Sequence, residues 1–233
     1  MTEKLYYTDA YMKEFDATVV SADGEKIVLD KTAFYPTGGG QLHDTGVLIA
    51  DKEYVVVDVI KEGDAIVHIL SEHGPALGTK VRGRIDWDRR YQHMRMHTSA
   101  HTFSQAIFRA TGALCTGNQL AADQSRMDFS EPITKEQFVA FAEQANEMLA
   151  HDLPVTAKLL SKKEAKEIPG AFRLTGKDAP DFDQLRIVSI GDYDVEADGG
   201  THVKSTKEVG KMFITKFENK GSKRKRIYWA LDS

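Results

Sequence analysis

The chain has 233 residues, with 31 Lys and Arg against 35 Asp and Glu, giving a formal net charge of -4 at pH 7. Hydrophobic residues at 41% and charged residues at 28% make an ordinary globular composition, which excludes a disordered chain, and the acidic balance argues against a protein whose whole surface clings to nucleic acid. The first residues carry no signal-like apolar run, no stretch of about 18 apolar residues is available to span a bilayer, and the single cysteine, Cys115, can form no internal disulfide, so a cytoplasmic protein without a membrane partner is expected.

Residues 1 to about 87 read as short strands between turns. Segments 19–21, 26–29, 47–49, 54–60, 65–70 and 80–85 are rich in Val and Ile and are punctuated by turns such as Asp23-Gly24 and Gly63-Asp64. In the last of them Val81, Gly83 and Ile85 alternate with Arg82, Arg84 and Asp86, which predicts one inward and one polar face. Short strands at this spacing suggest a small barrel or sandwich. Between the second and third lies FYPTGGGQLHDTG, where Gly38 to Gly40 let the backbone approach a ligand or another backbone closely. It is no Walker loop, since no Gly-Lys-Ser/Thr follows. Thr37, Gln41 and Asp44 flank the glycines and can exchange hydrogen bonds.

A helix is expected from near Asp88 to about Ala110, stopped by Gly112. It carries HTSAHT, in which His97 and His101 stand four apart. At about 100° per residue such a pair lies on one face, about 40° apart, and both imidazoles can reach one ion or one substrate. His93, one turn earlier, extends the same face and reads as a partly exposed histidine packed on its neighbours. Ala100, Phe103, Ile107 and Ala110 supply the apolar positions. Beyond the helix, Arg126, Asp128 and Phe129 suggest a strand. Thr134 and Gln137 then have capping-box spacing before an amphipathic helix whose stripe is Phe138, Phe141, Ala142, Ala145, Met148 and Leu149. A strand at 155–160, a short helix opened by Ser161 and Glu164, a loop over 169–183 and strands at 185–190, 212–217 and 226–231 complete the chain.

The segment DGGTHV places Asp198 and His202 four apart around two glycines, which suit a tight loop that bends both side chains toward one point. Three histidines and one carboxylate make a credible zinc set, structural if closed and catalytic if one position stays open. No nucleophilic alternative stands out: Ser99 lacks a GxSxG elbow and Cys115 has no evident base. Two basic clusters, Arg82, Arg84, Arg89, Arg90 and Arg95, then Lys220, Lys223, Arg224, Lys225 and Arg226, suggest a polyanion contact at a limited site. The change from strands alone to mixed strands and helices suggests two domains, 1–88 and 89–233.

These residues carry a family resemblance. FYPTGGGQLHDTG, RRYQHMRMHTSAHT, SRMDF, DGGTHVKST and the ending KGSKRKRIYWAL, in this order along nearly the whole chain, resemble the motifs of the free-standing alanyl-tRNA editing proteins, which look like the editing half of alanyl-tRNA synthetase. The resemblance implies an α+β fold, a small N-terminal barrel-like domain followed by an antiparallel sheet with helices, with zinc between them. It implies hydrolysis of the ester joining serine or glycine to tRNA(Ala). His97, His101 and His202 match the family's metal ligands, while Asp198 stands where the family usually has cysteine, a harder donor than thiolate. One Zn2+ held by three His and one Asp is the expected outcome. Thr37 is then the candidate for hydrogen-bonding serine's hydroxyl, with Gln41 lining the pocket, and Arg89, Arg90, Lys223, Arg224, Lys225 and Arg226 are candidates for holding the tRNA acceptor end. Two rival readings are a tRNA-binding module without catalysis and a metal-dependent hydrolase of another small ester or amide.

Overall fold

The computed structural model describes residues 2–168, 171–172, 183–221 and 224–232. The chain divides into two compact units, Met1–His93 and Met94–Ser233.

In the first unit the strands are β1 (Glu3–Lys4), β2 (Glu14–Asp23), β3 (Lys26–Leu29), β4 (Lys31–Thr32), β5 (Gly46–Ile49), β6 (Glu53–Glu62), β7 (Ala65–Leu70) and β8 (Lys80–Ile85). Six of them close into a barrel in the order β2-β3-β7-β6-β5-β8, every pair antiparallel. The alternation in β8 explains its place: Val81, Gly83 and Ile85 are buried, while Arg82 and Arg84 face outward in ion pairs with Asp16 at 3.0 Å and Glu53 at 2.7 Å. Closure leaves one interior, filled by Phe15, Leu29, Phe34, Leu48, Val56 and Ile66 among others. Gly83 is required there, because a Cβ on it would lie 2.4 Å from the Phe15 ring.

The helix α1 (Trp87–Thr111) follows directly. The Asp86 carboxylate accepts the Arg89 N–H at 3.2 Å at its start. It ends at Gly112, in the left-handed region at φ 71°, whose N–H donates to Phe108 O at 2.8 Å. No helix among the described residues is long and apolar enough to cross a membrane.

The second unit contains β9 (Cys115–Gln119), β10 (Ser125–Phe129), α2 (Lys135–Ala150), β11 (Val155–Ser161), α3 (Lys162–Lys166), β12 (Gln184–Ile190), β13 (Asp194–Ala197), β14 (Met212–Asn219) and β15 (Lys225–Leu231). They form an antiparallel sheet in the order β14-β15-β10-β9 and a second, β11-β12-β13. Capping boxes open α2 at Thr134 and α3 at Ser161. The α2 stripe buries Phe138, Phe141, Ala142, Ala145 and Leu149, and Phe138 meets Phe103 and Phe129 at ring distances of 6.3 and 5.7 Å. Trp229 on β15, fully buried, donates from Nε1 to Ser99 Oγ at 3.0 Å and so ties the larger sheet to α1. The strands β9 and β13 have no counterpart in the sequence reading; both lie at sheet edges, and β9 is polar and carries a glycine. The loop expected over 169–183 falls outside the described residues except for 171, 172 and 183.

Candidate metal centre

Four side chains from two segments of the second unit converge. His97 and His101 project from α1, and Asp198 and His202 come from the turn after β13; one donor atom from each lies within 4.8 Å of the others. The imidazole centroids are 5.3 Å apart for His97 and His101, 4.4 Å for His97 and His202, and 4.9 Å for His101 and His202. Asp198 Oδ2 is 2.9 Å from His202 Nε2, and Oδ1 is 3.5 Å from His97 Nε2.

The turn is fixed by its own hydrogen bonds. Asp198 N–H donates to Arg186 O at 3.0 Å, and Gly200 N–H donates to Asp198 Oδ2 at 2.7 Å. Arg186 returns from β12, where Nη1 donates to the carbonyls of Asp198 at 3.1 Å and Gly200 at 2.9 Å. The outer nitrogens of two rings are also held. His202 Nδ1 lies 3.1 Å from Thr98 Oγ1, and His101 Nδ1 donates to Asp194 Oδ2 at 2.9 Å with Glu196 Oε2 at 3.7 Å. Holding Nδ1 leaves Nε2 as the donor atom in both rings.

The electrostatics follow from burial and from these contacts. Burial pulls His97 well below its ordinary value against the opposing Asp198 charge, and pulls His202 down to about 4 against its Asp198 hydrogen bond. Burial alone would lower His101 too, but the Asp194 hydrogen bond and the Glu196 charge hold it up at about 9. Burial opposes the charge on Asp198, yet the His97, His202 and His101 imidazoles keep its carboxyl well below the usual range. Neutral imidazoles at His97 and His202 beside an ionised carboxylate suit a divalent cation, which would have to displace the second ring proton of His101, and the nitrogen-oxygen set is one zinc accepts. Burial pushes the Cys115 thiol up to about 11, which leaves it a poor nucleophile.

The other candidates fall out differently. Thr37 is exposed, and its hydroxyl lies 3.2 Å from both Nδ1 and the backbone N of His43. Gln41 is fully buried and exchanges backbone hydrogen bonds with Gly38. Arg89 donates from Nε to His43 O at 3.0 Å. Arg90 is 0% exposed and donates to the buried Asp44 carboxylate and to Ala10 O and Ala33 O, an interior pairing that argues for a structural part instead of a phosphate contact. Arg95 is likewise buried, donating to Val209 O and Asp232 O. The Lys225 side chain also turns inward, where Nζ donates to Asn219 Oδ1 at 2.7 Å and Gly221 O at 3.1 Å. Arg226 is half-buried in a two-pronged pair with Asp128, at 2.6 and 2.8 Å. Arg224 is exposed, and Lys223 lies outside the described residues. His93 is fully buried rather than partly exposed, and neither ring nitrogen hydrogen-bonds to a described residue.

Sequence reasoning missed Thr98, Arg186, Asp194 and Glu196. A signal was present for the carboxylates: residues 194, 196 and 198 alternate as Asp, Glu and Asp, the period of side chains on one face of a strand.

Residues 2–89 match a family model described as tRNA synthetases class II (A), and residues 185–228 match the threonyl and alanyl tRNA synthetase second additional domain. The chain is 42% identical over 235 residues to the alanyl-tRNA editing protein AlaX-M of Saccharolobus solfataricus, covering 99% of both chains. To the AlaX-M of Methanosarcina barkeri it is 44% identical over 241 residues, again with 99% of both covered. The alanine-tRNA ligase of Pyrococcus abyssi is 43% identical over 235 residues, which are 98% of this chain and 26% of that longer protein.

Proposed function

The chain belongs to the alanyl-tRNA editing protein family, and we propose that it is an aminoacyl-tRNA deacylase that hydrolyses seryl- and glycyl-tRNA(Ala) at a site containing one zinc ion. The observation that carries this reading is the convergence of His97, His101, Asp198 and His202. These four residues would hold the ion. If one coordination position stayed open, zinc bound there would supply Lewis acidity and would lower the pKa of a water toward neutrality, which suits hydrolysis of an ester.

The chain's own residues do the positioning. Thr98 orients the His202 ring, and Arg186 braces the Asp198–Gly200 turn through two carbonyls. Thr37 is our candidate for the group that hydrogen-bonds serine's hydroxyl, and Gln41, buried behind the glycine-rich loop, supports that loop through its backbone bonds to Gly38. The selection has a physical basis. A pocket sized for alanine discriminates weakly against a missing methyl or an added hydroxyl, whereas a group built to bond the hydroxyl is left unpaired by alanine, at a cost of about 1–3 kcal/mol. Arg89, Arg224 and Arg226 are the described cations we assign to phosphates of the acceptor end, and such contacts make deacylation weaken steeply with salt.

The test is the rate at which the zinc-supplemented protein releases serine from seryl-tRNA(Ala), with correctly charged alanyl-tRNA(Ala) in parallel. Release of serine with alanine spared supports editing; cleavage of neither ester above the buffer rate overturns it. Thr37→Val should narrow the preference for serine over alanine, and an unchanged preference removes Thr37 from the role.

A further inference from the structure

Asp194 is the first residue of β13, in register with Ile190 across the β12–β13 turn, and it is 1% exposed. A buried carboxylate at the end of a short strand requires a reason, since desolvation disfavours it unless it is hydrogen-bonded. His101 Nδ1 meets it at 2.9 Å, which leaves Nε2 as the nitrogen free to face a cation.

The surroundings hold this carboxylate in place. Two α1 side chains reach the preceding residue: Gln105 Nε2 donates to Tyr193 O at 2.8 Å, and Arg109 Nη2 donates to the same carbonyl at 2.6 Å. The Arg109 guanidinium also lies 4.4 Å from the centroid of the Tyr193 ring. Gln105 and Arg109 are one and two turns beyond His101 on the same helix. One helix therefore presents the imidazole and also grips the turn carrying the carboxylate that meets it. Glu196, next on the same face of β13, lies farther from Nδ1 at 3.7 Å and is half-buried.

We propose that Asp194 is a positioning residue: by accepting the Nδ1 proton it fixes the His101 tautomer and ring orientation, so that Nε2 presents its lone pair to a cation shared with His97, Asp198 and His202. This rests on the reading of those four residues as a cation site. Carboxylates that hold a ligating histidine in this way affect metal affinity by about 10–100-fold.

The test uses the full-length protein with zinc, measured by competition with a chromophoric chelator, and with cobalt, whose visible absorption reports coordination geometry. Asp194→Ala should weaken zinc binding about 10–100-fold and alter the cobalt spectrum. Asp194→Asn, whose amide oxygen still accepts the Nδ1 proton, should recover part of that loss and serves as the readout should the alanine variant fold poorly. Glu196→Gln should change affinity less than Asp194→Asn. A purely structural role would lower the melting temperature of the Asp194 variants and leave the affinity and spectrum of the folded protein unchanged; that result overturns the proposal alone. Wild-type protein that binds neither zinc nor cobalt overturns it together with the cation-site reading.

Discussion

Gly200 packs against the His97 ring so closely that a Cβ built on it would lie 2.0 Å from Cε1 and 2.2 Å from Nδ1 of the imidazole. No side chain larger than hydrogen fits without moving the ring or the turn. Gly200→Ala should cost about 1–3 kcal/mol of stability through overpacking, and its larger effect should fall on the site. Displacing His97 should weaken zinc affinity at least about tenfold, a difference of about 1.4 kcal/mol. Chelator competition on the alanine variant measures this, and wild-type affinity would mean that the turn yields instead of the ring.

Asp198 has two tasks, which substitutions separate. Its Oδ2 accepts the Gly200 N–H at 2.7 Å, and its carboxylate faces His97 and His202. Asp198→Ala removes both, and zinc binding should fall by at least about tenfold. Asp198→Cys restores a donor, a softer one that suits zinc over hard oxygen-seeking cations. The cysteine variant should therefore bind zinc as tightly as wild type or more tightly, and should discriminate more sharply against magnesium. Equal zinc affinity in wild type and Asp198→Ala would show that the carboxylate is no ligand.

Much of this was legible in the sequence because it depends on local periodicity. The β8 alternation, the α2 stripe with its Thr134 capping box, and the four-residue spacing of His97 and His101 each follow from backbone geometry, and each element stands where that geometry puts it. Barrel closure is a non-local property, so the same strands are compatible with a sandwich until β2 pairs with β8 and β5 with β8. The fate of the arginines was illegible for a similar reason. Arg89 and Arg90 are neighbours of the same type, yet only the fold brings Asp44 to Arg90 across 46 positions. Asp194 escaped notice because its partner, His101, is 93 residues away.

The buried pairing of Arg90 with Asp44 makes the two neighbouring arginines differ in what their removal should do. Both side chains of the pair are 0% exposed, and Asp44 Oδ2 also accepts the Tyr35 N–H at 2.6 Å. Asp44→Ala leaves a buried guanidinium without its counter-ion and should cost about 3–5 kcal/mol, read from urea denaturation. Arg90→Ala should likewise lower stability while leaving the salt dependence of tRNA affinity in the folded protein unchanged. Arg89→Ala should reduce that salt slope by about one. Reversed effects for the two arginines would place the phosphate contact at Arg90.

His68 gives the barrel a defined sensitivity to acid. Its ring is fully buried on β7, with Nδ1 3.1 Å from Ile27 O and Nε2 2.8 Å from Thr32 Oγ1. Since a carbonyl can only accept, Nδ1 carries the proton, and Nε2 accepts from the threonine hydroxyl. Thr32 Oγ1 in turn accepts the Phe34 N–H at 3.1 Å, so a second ring proton has little to bond to. Burial, opposed only in part by the Ile27 hydrogen bond, pulls the imidazole down to about 4 from its ordinary 6.5. The unfolded chain therefore binds the proton more readily, and stability rises with pH across this window. The contribution is complete above about 6.5, is lost as pH falls toward 4, and amounts to about 3 kcal/mol for a shift of this size. Denaturant midpoints at pH 7, 5.5 and 4.5 for wild type and His68→Asn measure it. The buried His93 and His202, also lowered to about 4, add acid sensitivity of the same sign to both proteins, so the difference between the two isolates His68. Wild type should lose more stability than the variant over that range, and parallel losses would show that His68 does not carry the effect.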